Sequence, residues 1–241
     1  MSLNVMKKAI MASSLLYTSA SLVAAPQFYG VLELGNSKSK FSNIDTSIAK
    51  STATTDVISD SDSSSFFSVG VGIDWENSPL RSEIVYTSFG DQSFIDDTVF
   101  VSSTASNERT TTTIKQESFM FNTLYDIDIK SNVFKPYVGA GVGVLRSDVS
   151  AKQLDSPVGT GRSASFAEVS DTNFMWSLVV GANYKVTEKA ALGFGYRYTD
   201  AGKVSTGNNC VGSDAFICDT DEQHSADQKS NLLFASMNYY F

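Results

Sequence analysis

The chain has 241 residues, 18 basic against 26 acidic, a formal charge of −8, 18% charged and 12% aromatic side chains. That length suits one domain, since all-β barrels reach it undivided, and the low charge with abundant Ser, Thr and Gly fits strands with polar connections better than a helical bundle. The acidic balance, with no basic stripe along the sequence, argues against nucleic acid or anionic lipid as a main partner, because both need clustered Lys and Arg.

The N-terminus has the pattern of an export signal: Lys7 and Lys8, an apolar stretch from Ala9 to Tyr17, and Val23-Ala24-Ala25 as a small-residue cleavage site. Ser13, Ser14, Thr18 and Ser19 interrupt the stretch, which is too short to span a bilayer. Residues 1–25 are therefore read as a cleaved signal and residues 26–241 as the mature domain. Without Lys7 and Lys8 the 18 basic residues become 16 against 26 acidic, and the charge moves from −8 to −10.

Eight segments then alternate with period 2, the pattern of strands with one apolar face. The first, Phe28 to Ser37, sets Phe28, Leu32 and Leu34 against Tyr29, Val31 and Glu33. The second sets Phe67, Val69, Val71, Ile73 and Trp75 against Ser68, Gly70, Gly72, Asp74 and Glu76. After the turn Asn77-Ser78-Pro79, the third sets Leu80, Ile84 and Tyr86 against Arg81, Glu83 and Thr87. The fourth, Lys115 to Asp126, puts Phe119, Phe121 and Tyr125 opposite Ser118, Met120 and Asn122.

In the fifth, Lys135 to Arg146, Val138, Ala140, Val142 and Val144 alternate with Gly139, Gly141 and Gly143. A dinucleotide loop would have to open a helix, so these glycines read as small residues lining a narrow interior. The sixth, Thr172 to Tyr184, sets Trp176, Leu178 and Val180 against Ser177, Gly181 and Asn183. The seventh, Ala190 to Thr199, sets Leu192, Phe194, Tyr196 and Tyr198 against Gly193, Gly195 and Arg197. The eighth, Ser230 to Phe241, sets Leu233, Ala235, Met237, Tyr239 and Phe241 against Phe234, Ser236, Asn238 and Tyr240.

Connection lengths separate a soluble sandwich from a membrane barrel. Short turns near 77–79, 127–134 and 185–189 alternate with long polar stretches near 38–63, 90–113, 147–171 and 200–229. A transmembrane barrel has short periplasmic turns and long extracellular loops, with apolar side chains facing lipid and polar or small ones inside. The expected fold is an all-β, eight-stranded antiparallel up-and-down barrel.

Asn122-Thr123-Leu124-Tyr125-Asp126, Lys135-Pro136-Tyr137-Val138-Gly139-Ala140-Gly141-Val142-Gly143, Gly195-Tyr196-Arg197-Tyr198-Thr199-Asp200 and the closing Tyr239-Tyr240-Phe241 together make the chain resemble the small outer-membrane barrels of the opacity-protein and OmpA transmembrane-domain type, bacterial surface antigens. The likeness runs over nearly the whole mature chain. It implies an outer-membrane address, insertion by the barrel-assembly machinery and a surface role in adhesion or antigen display, with host-cell or matrix ligands taken by the loops. Tyr239 and Phe241 stand where the assembly signal is expected. The peptidoglycan-binding role of OmpA-like proteins is not among the functions expected from the resemblance.

Glu33, Asp74, Glu76, Arg81, Glu83, Glu117 and Arg197 are assigned to the interior as ion pairs, because side chains nearly fill an eight-stranded lumen and buried charges must pair. A plug and a narrow porin-like channel both follow from such an interior. Cys210 and Cys218, separated by seven residues, are a disulfide candidate in an exported protein; two free thiols are the alternative. His224 and Ser225, near Asp221 and Glu222, suggest a lipid hydrolase, against the plainer reading of a solvated loop histidine; no Gly-x-Ser-x-Gly elbow occurs. Asp60 with Asp62, and Asp219, Asp221 and Glu222, are acidic enough for calcium but match no EF-hand loop. Trp75 and Trp176 fit aromatic girdles. The sequence thus gives an outer-membrane surface protein in contact with outer-membrane lipid, with no enzyme activity, no cofactor and no metal assigned.

Overall fold

Alternation becomes a closed wall. The computed structural model describes residues 26–47, 53–75, 78–100, 107–156, 163–207, 210–212 and 223–241. Its strands are β1 (Gln27–Ser47), β2 (Ala53–Ser59), β3 (Ser61–Asp74), β4 (Leu80–Phe100), β5 (Asn107–Asp126), β6 (Phe134–Ser156), β7 (Ser163–Lys185), β8 (Ala190–Ser205), β9 (Cys210–Gly212) and β10 (Gln223–Tyr240). Antiparallel pairing runs β4-β3-β1-β10-β8-β7-β6-β5, and β5 returns to pair with β4, closing a ring of eight. The first and last ring strands meet along Tyr29↔Tyr240 to Ser47↔Gln223, so no edge is left open to lipid, as a bilayer requires. Two short strands are additions outside the membrane: β2 pairs with the far end of β4 and β9 with that of β7.

The outward side chains form an apolar band. Leu34, Phe67, Phe119, Val144, Phe174 and Leu233 are 45–66% exposed, an arrangement that only lipid makes favourable over so large a surface. Two residues further along each strand, on the same face, the outward side chain becomes polar: Asn36, Ser65, Glu117, Arg146, Thr172 and Asn231. Phe119↔Val144↔Phe174 and Glu117↔Arg146↔Thr172 are rows of one register, so the band ends abruptly. Trp75 lies at its periplasmic edge and Trp176 near its upper edge, packed on Tyr198 with ring centroids 5.5 Å apart.

The strands do not stop with the band. A strand of 21 residues such as β1 or β4 is about 70 Å long at roughly 3.3 Å per residue, and at a tilt of about 40° rises ~50 Å, about twice the ~25 Å apolar band. Most of each stretch expected as a long loop is therefore strand, and the barrel wall continues outside the membrane. Its ladders are regular within the band and irregular above it. Shifts fall at Ser42/Asp45, Phe89/Gln92, Val149/Ala151 and Gln228/Lys229, two of them at left-handed residues, Asn43 and Gly202. Bulges of this kind bend and twist a strand.

Candidate functional site

From the periplasmic end upward, the lumen is a stack of layers. A mouth of about 470 Å³, lined by Gln27, Asp74, Asp126, Lys135, Asn183 and Tyr240 among others, opens between the short turns. Above it Arg81, buried, sends Nε–H to both oxygens of Asp126 at 3.0 Å and Nη2–H to Oδ1 at 2.8 Å. Its guanidinium lies over the Tyr137 ring, 5.1 Å from the centroid, and donates to Tyr29 Oη at 3.3 Å. Tyr29 in turn donates to Glu83 at 2.8 Å.

One step higher, Arg197 grips Glu33 with two parallel bonds of 2.9 and 2.8 Å, the bidentate geometry that planar guanidinium and carboxylate favour, and rests on the Phe234 ring at 5.0 Å. Between these two arginines the free space is about 10 Å³, close to the room for one water. Glycines make that fit: a Cβ on Gly72 would lie 2.2 Å from the Tyr29 ring, and one on Gly181 2.6 Å from that of Tyr137.

Asp126 and the two tyrosines are participants that the sequence reading did not assign. Asp126 shares strand parity with Met120 and Asn122, so its inward direction was legible; its pairing with Arg81 across the β4–β5 ladder was not. Glu117 belongs to the outer face instead. It is exposed, in phase with Phe119 and opposite Arg146, because alternation from Phe119 puts it on the lipid side just above the apolar band. Asp74 is half-buried at the mouth, and Glu76 lies outside the described residues.

Around the arginines and above them the interior is filled with apolar side chains. Phe66, Leu124, Val179, Leu232 and Phe234 pack together, then Met120, Leu145, Met175 and Ala201. A polar layer follows. Gln116 and Gln228 bond reciprocally at 2.6 and 2.9 Å, Gln228 also donates to Gln92 at 2.9 Å, and Gln92 and Gln116 donate to Ser64 and Ser147. Beyond the membrane a second core forms from Phe41, Phe94, Ile114, Val149, Val204 and Ala226.

At the top is His224, fully buried and not the solvated loop histidine expected. Its Nδ1 lies 3.0 Å from Asp96 Oδ2 and its Nε2 3.5 Å from Thr110 Oγ1, with Phe166 edge-on at 5.5 Å. A carboxylate only accepts, so Nδ1 carries the proton of that bond. The reason for the reversal is that 223–228 is strand: His224 points in and Ser225, the next residue, to the other face, which separates the two residues of the lipid-hydrolase reading. Asp221 and Glu222 lie outside the described residues. Asp62 accepts from the backbone N–H of Ser63 and Ser93 and the Ser93 hydroxyl, tying β3 to β4. Among the described residues no group of three His, Cys, Asp or Glu is placed to hold a metal. Cys210 starts β9, but its side chain and Cys218 are outside the described residues.

Residues 9–222 match the sequence model of the family described as outer membrane protein beta-barrel domain. The chain belongs to that family. It is an outer-membrane β-barrel. Outer membrane protein PagN of Salmonella typhimurium is 34% identical over 130 residues, 53% of this chain and 51% of PagN, so the likeness spans about half of each. Neisserial surface protein A is similar in fold, with 18% identity, a TM-score of 0.51, and 89% of this chain and 97% of that one covered. OprG of Pseudomonas aeruginosa has 10% identity and a TM-score of 0.49 over 90% and 98%.

Proposed function

We propose that this outer-membrane barrel is a closed scaffold for surface recognition, adhesive or antigenic, and not a pore. The observation that favours this most is the constriction of about 10 Å³ between Arg81 and Arg197, backed by two packed apolar layers and a hydrogen-bonded glutamine layer. A conducting lumen needs a continuous water path. Recognition then falls to the extracellular rim, since binding residues concentrate on connections held by a rigid frame. The PagN and Neisserial surface protein likenesses fit a surface protein without naming a ligand. In the same reading residues 1–25 are a cleaved signal, and Tyr239 with Phe241, outward and exposed, engage the assembly machinery.

The test replaces the strand connections outside the membrane by short Gly/Ser linkers and measures adherence of displaying bacteria to host cells and matrix. Adherence falls to background while the barrel still shows heat-modifiable migration; undiminished adherence sinks the proposal. Purified protein in planar bilayers gives no single-channel steps. Steps that change when Arg197 is replaced would establish the porin-like alternative.

A further inference from the structure

The structure brings together cations that lie far apart in the chain. Lys40 on β1 stands directly opposite Lys229 on β10, and Lys38 stands one outward position below Lys40, opposite Asn231. All three are exposed on the outer wall, beyond the outward Asn36 and Asn231 that follow Leu34 and Leu233 at the end of the apolar band. Like charges directly opposite on one face of a ladder repel. Lys229 has a carboxylate, Asp200, only at 3.9 Å, Asp227 nearby is taken by Asn43, and Lys38 and Lys40 have no ion pair among the described residues.

The other side of the barrel differs. At the same height Arg146 bonds Asp148 at 3.4 Å and faces Glu117, and Lys115 faces Asp148. Cations there are neutralised by the wall itself. On the β1–β10 face, in a protein of charge −8, Lys38 and Lys40 have no such partner among the described residues, and Lys229 has only Asp200 at 3.9 Å. What lies against that height is the headgroup layer of the outer leaflet, and below are exposed apolar side chains, Leu233 at 66% and Leu34 at 57%.

We propose that Lys38, Lys40 and Lys229 form a binding site for a phosphorylated glycolipid of the outer leaflet, its phosphates on the three ammonium groups and its acyl chains along Leu34 and Leu233. It departs from the sequence reading, in which the acidic balance and the lack of a basic stripe argue against anionic lipid as a main partner. It does not rest on the recognition role of the rim, which is tested by adherence.

The experiment puts the full barrel in phosphatidylcholine nanodiscs with a low fraction of diphosphoryl lipid A and counts retained lipid by native mass spectrometry. Each lysine beside an anionic lipid surface contributes roughly fivefold to affinity, so K38Q/K40Q/K229Q binds on the order of a hundredfold more weakly, and K40Q alone roughly fivefold. K185Q/K189Q, at the periplasmic end, binds as the parent does. Dephosphorylated lipid A binds the parent no better than phosphatidylcholine, and inorganic phosphate does not compete. Undiminished binding by the triple variant, equal binding of the dephosphorylated lipid, or displacement by inorganic phosphate, which would mean a free-anion site, each overturns the proposal. If the triple variant loses its heat-modifiable migration, K40Q decides, and unchanged affinity there overturns it too.

Discussion

Removing one partner of the Arg197–Glu33 pair tests whether the lumen is held by charge pairing. Both side chains are under 10% exposed, so each is stabilised almost wholly by the other and not by water. Breaking a buried pair typically costs about 3–5 kcal/mol, whereas replacing both members by apolar groups of similar volume is often neutral. The two single changes are not equivalent. In Glu33→Gln the guanidinium keeps a neutral acceptor and the neighbouring Glu83; in Arg197→Met, Glu33 and Glu83 share the lumen with Arg81, which already holds Asp126. Arg197→Met is therefore expected at about 4–5 kcal/mol, Glu33→Gln at about 2–3, and the double Glu33→Leu/Arg197→Met within about 2 kcal/mol of the parent. Urea unfolding in detergent micelles, followed by Trp75 and Trp176 fluorescence, reads all three. Costs that simply add in the double variant, or a Glu33→Gln change below about 1 kcal/mol, would refute a lumen held by paired charge.

Gly72→Ala should cost about 1–3 kcal/mol through overpacking, because the new Cβ would lie 2.2 Å from a Tyr29 ring already fixed by Glu83; unfolding midpoints check this against Gly202→Ala, which meets no atom within 4 Å but is strained at its φ of +69°. His224→Ala leaves Asp96 buried without the imidazole, a loss of about 1–3 kcal/mol confined to the extension. Hydrogen exchange should then quicken in 92–98 and 223–228 while the strands inside the membrane stay protected. Asp148, above the apolar band, has its carboxyl pKa lowered by the Ser170 hydroxyl first and Arg146 second. A depressed folded pKa stabilises above the unfolded value and is lost as pH falls through the folded one. A carbon-detected titration of Asp148 should show its midpoint below the ordinary aspartate value and rising in Ser170→Ala; no change on that substitution refutes the assignment.

How much of this was legible follows from what each environment demands of a side chain. Inside the membrane, lipid requires apolar residues outward, so Phe119, Phe121 and Tyr125 against Ser118, Met120 and Asn122 announce strand, phase and facing at once. Above the band the outer face turns polar and the inner face mixes polar with apolar residues, so the alternation weakens: Lys38-Ser39-Lys40 and Thr110 to Thr113 read as loop although each is strand. The β-branched threonine run and the inward spacing of Gln92, Phe94 and Asp96 were the remaining cues. Glu117 was misplaced because its charge outweighed its parity with Phe119. Partners across the ring, such as Asp96 for His224 or Lys229 for Lys40, depend on register between strands distant in sequence, which no local pattern encodes.

The extension changes what the closed lumen means for recognition. If the strands ended at the headgroups, four flexible loops would meet a partner and lose much conformational freedom on binding. Instead the wall projects roughly 25 Å beyond the apolar band by its length and tilt, and its inside is packed. Phe41, Phe94 and Ile114 form a core there, and Gln92, Gln116 and Gln228 satisfy one another below it. A half-satisfied polar layer would be worse than an apolar one, so the reciprocal glutamine bonds fix the relative positions of β4, β5 and β10. The connections at the rim are thus held at their bases by a rigid tube. In the proposed reading, the same packing that would close the barrel to ions also holds its outer end in place for contact, so closure and surface display would be two consequences of one filled interior.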